Sequence, residues 1–498
     1  MDDRKHSSHG DSPKSRFSDP HQNLCREVFH RLPLADAVLH LLRYALNEDF
    51  LSSCYDKHRG HCYEDTLSFP RLIEILTDAL LVHHGSARQA LLEAQKKDTL
   101  PTCKEAFYGK LRRLPLPLSV AFLTEASQRL NELLPIQANP LPASLPGYQV
   151  RIVDGKKTKH IAKKLKLTRD QAGQLFGSKL LVGYDPVTRL IQTIAAHPDG
   201  EKNDAPLVPD LLANLPTSTP AKPMIIVADA QFYDLVQIDQ YRRNGYRFVL
   251  RYHPKLHFHA DATMPRREFT DAKGRPLIEE YGWLGSPKDK RRCFVRRVTW
   301  KRTDHKDLSV VTDLTDREPG QSAHTPESIP AADLIDLYLI RWTIETVFQE
   351  VTVLFGLRKL IGSTPEATAF QAAFCMVVYN AIQVVKSYIA AVQPKPMSVD
   401  DVSGKMLFDS IHRQLIAVLE LVPAASLAEL VAPLSTAEAA RQYLLERLTG
   451  LWEPGWKKAR NKTPRRYTDK KKGSGAHTSV HRVLQKHKQN PKAGADAG

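Results

Sequence analysis

MIIVADAQFYDLVQIDQYRRNGYRFVLR, residues 224–251, decides the fold class. A run of apolar residues ends at Asp229, a helix-spaced stretch follows, and the β-rich YRFVLR closes the unit. Strand, helix and strand in that order predict neighbouring parallel strands in an α/β sheet. Upstream, YQVRIVDG (148–155), SKLLVGYD (178–185) and TRLIQTIAA (188–196) read as three more strands, the last two joined by a tight Asp-Pro turn. A short helix is expected near 207–214. Three strands followed by alternating helix and strand predict a mixed sheet flanked by helices.

The pattern changes on either side of this core. Residues 1–20 are polar and predicted to be a disordered arm, too poor in apolar groups to offset the entropy of ordering. From Leu24 to about Leu134 the apolar spacing is helical, and residues 21–145 are expected to form an all-helical, DNA-binding N-terminal domain. Its segment TCKEAFYGKLRRL, with Thr102 and Glu105 in capping-box spacing, holds Lys104, Lys110, Arg112 and Arg113. That segment reads either as a DNA-reading helix or as the solvated basic face of a bundle. The Pro-rich NPLPASLPG (139–147) is a linker. The core then occupies 146–251 and, after a β-rich insertion at 252–329, 330–395. A helical C-terminal region spans 396–450 and a basic tail 451–498.

The chain has 498 residues, with 71 Lys plus Arg against 55 Asp plus Glu, a net charge of +16. Such a balance points to a polyanionic partner, nucleic acid or an anionic membrane. The most apolar stretch, 369–392, is interrupted by Gln371, Asn380, Gln383 and Lys386, so it is expected to be a buried core helix rather than a membrane span. Nucleic acid is then the expected partner. The tail carries thirteen Lys or Arg against three acids, ten of the sixteen net charges, and is expected to order only on a phosphate backbone. Six scattered cysteines and no apolar leader suggest a reducing, cytoplasmic setting.

Three acids stand where a metal-dependent nuclease needs them. Asp154 follows VRIV, Asp229 ends MIIVA, and Glu345 lies in the helix-spaced AADLIDLYLIRWTIETVFQEVTVLFGL (331–357). Hard Mg²⁺ takes oxygen ligands, and two such ions can serve an in-line phosphodiester displacement. Each acid also has a structural reading: Asp154-Gly155 as a tight turn, Asp229 as a helix cap, Glu345 in an ion pair with Arg341. On one continuous helix at about 100° per residue, Tyr338, Arg341 and Glu345 project within roughly 60° of one another. Arg suits phosphate and Tyr can bond or stack. CYDKHRGHC, with Cys54, His58, His61 and Cys62, is better read as bundle residues than as a zinc site, because its spacing is not two-by-two.

The chain resembles the DDE transposases of the IS4 group, found on bacterial insertion sequences. The resemblance rests on VDG (153–155), VADAQF (227–232) and Y-x2-R-x3-E in YLIRWTIE (338–345), and spans about 150–390. It implies an RNase H-like core with a β-rich insertion, and Mg²⁺-dependent DNA cleavage and strand transfer, with Mn²⁺ as substitute. By motif, Asp154, Asp229 and Glu345 become the catalytic, metal-binding triad, with Tyr338, Arg341 and Arg251 as DNA contacts. The implied partners are double-stranded DNA, as inverted-repeat ends and target, and a second copy in a synaptic homodimer. Nucleoid-associated, cytoplasmic action goes with them, and no membrane. The signature usually continues with a Lys seven positions after the Glu. Here Thr352 stands there, with Arg358 and Lys359 the nearest basic residues. KDLSVVTDL (306–314) lacks the tryptophan some members use to hold a flipped base, leaving Trp283 and Trp300 in the insertion. The second motif reads Asp-Ala-Gln-Phe rather than an Asp-Arg-Gly-Phe-like form. A catalytically silent DNA-binding descendant and a structure-specific RNase H-like nuclease are the alternatives.

Overall fold

The computed structural model describes residues 20–489 except 63, 65–66, 97–102, 137–138, 146, 160–162, 164, 304, 320–327, 356–360, 394–396 and 459–475. The expected arm at 1–20 falls almost wholly outside the described residues, as do Thr102, Arg358, Lys359 and much of the tail.

Seven helices come first: α1 (Pro20–His30), α2 (Pro33–Ala45), α3 (Glu48–His58), α4 (Phe69–Leu81), α5 (Ala87–Lys96), α6 (Lys104–Arg113) and α7 (Leu116–Asn131). Then come β1 (Gln149–Lys157), β2 (Gln174–Phe176), β3 (Lys179–Asp185), β4 (Leu190–His197), α8 (Val208–Ala213), β5 (Met224–Ala228), α9 (Leu235–Arg243) and β6 (Arg247–Arg251). The insertion supplies β7 (Phe258–Ala260), β8 (Arg267–Thr270), β9 (Pro276–Leu284), β10 (Cys293–Trp300) and β11 (Leu308–Thr312). Helices α10 (Ala331–Ile340), α11 (Thr343–Leu354), α12 (Pro365–Ala391), α13 (Gly404–Leu421), α14 (Ala424–Leu430) and α15 (Ala437–Leu448) follow, then β12 (His477–Ser479) and α16 (Val480–Gln489).

The fold is mixed α/β. One sheet runs β4-β3-β1-β5-β6-β11-β10-β9-β7, with β8 on β9. Strands β1, β5 and β6 are parallel and the other pairings antiparallel. The insertion strands therefore continue the central sheet, because β11 bonds directly to the edge of β6. Alternation sends Val153, Ile226, Phe248 and Leu250 to one face, under α8 and α9, and Ile152, Val227 and Val249 to the other, under α7 and α10–α12.

The N-terminal helices share that second core. Helix α7 lies on both β4 and α12, and Phe69 meets Phe122 and Phe370 edge to face. Each fully buried side chain of this size contributes about 1.5–3 kcal/mol. Helix α12 is long and apolar enough to cross a membrane, yet it is buried all round, as expected of a core helix. Asn380 at its middle bonds Ile191 and Ser127 and so ties the helix to β4 and α7.

Three expectations change. The helix-spaced stretch after Asp229 becomes α-helical only at Leu235, capped by Asp234. The stretch read as one helix over 331–357 breaks at Arg341-Trp342, where successive amides bond three residues back: Arg341 to Tyr338, Trp342 to Leu339, Ile344 to Arg341 and Glu345 to Trp342. The tail also differs from expectation, since residues 476–489 form β12 and α16 against the core.

Candidate active site

Register builds the site before any side chain is considered. Val153 lies opposite Ala228, and Ala228 opposite Leu250, so the next residues, Asp154, Asp229 and Arg251, form one row across three parallel strands. Each follows by two a residue facing the α10–α12 layer, so all three project to that side. Asp154 lies within β1 rather than in a turn. Asp229 is a cap, as its structural reading held, accepting from Gln231 N at 2.8 Å at the start of a short 3₁₀ turn.

The tight turn between α10 and α11 lowers Arg341 into this row. Its side chain is 5% exposed, with Nη1 3.6 Å from Asp154 Oδ2 and Nη2 3.3 Å from Glu345 Oε1. The expected Arg341–Glu345 ion pair is thus present, but one guanidinium also bridges the first and third acids. Tyr338 is fully buried beneath it, ring centroid 5.6 Å from the guanidinium. The phenol is not presented outward as continuous-helix arithmetic predicts, because the turn shifts the azimuth between Tyr338 and Glu345. Trp342, half-exposed, covers the other side of Arg341 at 4.8 Å.

Burial pushes the Asp154 carboxyl up to about 6. The Gly155 amide, bonded at 2.8 Å, and Arg341 pull the other way, while the Asp229 and Asp204 charges add to the rise. Gly155 is required by packing. A side chain there would overlap the Asp204 carboxylate, which pairs with the buried Lys179.

Lys156 was not singled out from the sequence. It lies on the same face of β1 as Asp154, and its Nζ donates to Thr352 Oγ1 at 2.9 Å and Phe348 O at 3.2 Å. Burial lowers its ammonium to about 8. The period-two spacing from Asp154 is the signal that could have found it, and the structure sets its cation against the residue found in place of the signature Lys. Of the insertion tryptophans, Trp300 stands at the same end of the sheet as the acids, flanked by Arg275 and Arg302 at 5.5 and 5.7 Å. Trp283 is at the opposite end, against Phe294 and Arg292.

The remaining motif residues go elsewhere. Lys110 turns inward, 3.1 Å from Glu64 and over the Tyr55 ring, so it is no part of an exposed basic face on α6. Cys54 is buried, His58 pairs with Glu125, and Cys62 donates to the Arg113 carbonyl. Among the described residues no three His, Cys, Asp or Glu side chains converge closely enough to hold a metal ion.

Two carboxylates in one row across adjacent parallel strands, one of them half-buried, with arginine above and a second helix carrying glutamate, make an acid site roofed by a cation. Residues 145–381 match the family model of the transposase DDE domain. The match covers a little under half of the chain and includes Asp154, Asp229, Arg251, Arg341 and Glu345. It supports a DDE transposase family and, with it, transposase activity on DNA. No curated protein matches the chain. DDE transposases generally use divalent metals, and the carboxylates of Asp154 and Asp229 are oxygen groups of the kind that a hard divalent cation takes.

Proposed function

We propose that this protein is a transposase of the IS4 group that binds the terminal inverted repeats of its own element, pairs two ends as a homodimer, and cuts and joins DNA on an RNase H-like core. The observation that carries the proposal is the single row of Asp154, Asp229 and Arg251, closed from above by Arg341 and Glu345. In this reading Asp154, Asp229 and Glu345 hold Mg²⁺, or Mn²⁺ in its place, which when bound activates the attacking oxygen and stabilises the leaving one. Arg341 and Arg251 bind phosphate oxygens beside the acids, and Trp342 bounds the site against water. When Arg341 engages phosphate, Glu345 is released from its ion pair and becomes available as a ligand. Tyr338 supports the guanidinium from below.

The test is cleavage and joining of labelled DNA carrying the element's ends, with and without Mg²⁺, in wild type and Glu345→Gln. Metal-dependent products that vanish in the variant, with end binding retained, support the proposal. Binding without products in either protein, in Mg²⁺ and in Mn²⁺, supports a catalytically silent DNA-binding protein. One observation favours that second reading: Arg341 bridges two of the three acids.

A further inference from the structure

The C-terminal residues 476–489 dock on the crossover between β1 and β3. Strand β12 pairs in parallel with β2, His477 opposite Gln174 and Ser479 opposite Phe176, and Gln174 N donates to Ala476 O at 2.9 Å. The dock is built from both sides. Gly173 has φ +75°, and any side chain there would strike the Ala476 carbonyl. Arg482 reaches Asp199 at 2.9 Å and Glu201 at 3.0 Å, and His477 reaches Glu201 at 3.4 Å. Ser479 and Val480 are fully buried.

The dock lies just past the end of β1, the strand that carries Asp154. The Lys157 ammonium, on the strand that carries Asp154, lies 5.4 Å from the Phe176 ring, which in turn lies 5.0 Å from the His477 ring. Helix α16 rests on the 3₁₀ turn Lys166–Thr168. The crossover exposes Lys159, Lys163, Lys166 and Arg169 with the one acid Asp170 among them, and α16, resting on its 166–168 turn, exposes Lys486 and Lys488. Asp199 and Glu201 are committed to Arg482 and His477, so the acids that hold the arm leave this surface basic.

We propose that the arm and the crossover form one phosphate-binding ledge, which takes the backbone of duplex DNA flanking the acid site. The inference rests on the DNA-acting reading above and adds to it a place and a fixed geometry. A ledge held by β pairing presents its cations without the ordering cost that a free tail would bear on binding. Each phosphate it neutralises adds about 0.9 to the salt slope of binding.

The test measures binding of the full-length protein to a labelled random-sequence duplex across a KCl series. Lys486→Gln/Lys488→Gln removes two charges and keeps the dock, and its slope is expected to fall by about 2. Gly173→Val keeps every charge and blocks the dock. It is expected to lose a similar amount and to expose 476–489 to protease. A wild-type slope in the lysine variant overturns the ledge, and a wild-type slope in Gly173→Val, with the arm cleaved, overturns the need for docking. If the wild type binds no DNA, the functional reading itself fails, while the protease comparison still reports whether the arm is docked.

Discussion

The Lys156 ammonium on β1 donates to the Thr352 hydroxyl on α11 at 2.9 Å, two residues along the strand from Asp154 and seven along the chain from Glu345. The cation expected from α11 is thus supplied at the same place by the neighbouring strand. Lys156→Met is expected to lower the salt slope of DNA binding by about 1 and to reduce cleavage. Thr352→Lys added to Lys156→Met is expected to restore both, since it returns a cation to that wall from the other side. A Lys156→Met protein with wild-type slope and cleavage would remove Lys156 from the substrate surface.

Asp154 gives stability a pH signature in the absence of divalent metal. Its folded carboxyl titrates near 6, above the ordinary value of about 3.9. The unfolded chain ionises first as pH rises, so stability falls between about pH 4 and pH 6, by on the order of 2–3 kcal/mol, and stays lower above that window. Asp154→Asn is therefore expected to raise the metal-free Tm at pH 8 and leave it unchanged near pH 4. Scanning calorimetry at both pH values with chelator present checks this, and an equal effect at both would contradict it.

Gly155 is a packing requirement. Gly155→Val would force the Asp204 carboxylate away and strip the buried Lys179 of its partner. Overpacking costs about 1–3 kcal/mol and a broken buried pair about 3–5 kcal/mol. Urea denaturation should show a loss of that order, whereas Gly155 acting only as a turn residue would show a few tenths.

Trp342 is half-exposed, so its removal should leave Tm nearly unchanged. Its ring also lies 4.8 Å from the Arg341 guanidinium. Trp342→Ala is expected to weaken binding of DNA ends with unpaired bases by about 1–3 kcal/mol and that of fully paired duplex by less. Competition titrations with frayed and blunt ends measure the difference.

Most of the strands, the buried helix 365–391 and the candidate acids were legible from the sequence, because they rest on local pattern. Short apolar runs mark β1, β5 and β6, and the polar interruptions of α12 mark a core helix, with Asn380 bonded to Ile191 of β4. The placement of β12 was not legible, since it depends on Gly173, Asp199 and Glu201, about three hundred residues away. Nor was the fate of Lys110, whose partner Glu64 belongs to another segment.

The sequence by itself determined an α/β protein with acids on two neighbouring strand segments, a basic surplus and a third acid on a helix. These follow from periodicity, charge and spacing along the chain, which act over a few residues. Only the tertiary structure decided that Arg341 lies between Asp154 and Glu345, that Lys156 stands against Thr352, and that the basic C-terminus returns to pair with β2. A helix period fixes an angle on one helix, but the tight turn at Arg341 and the register of three parallel strands set the distances across which these charges act.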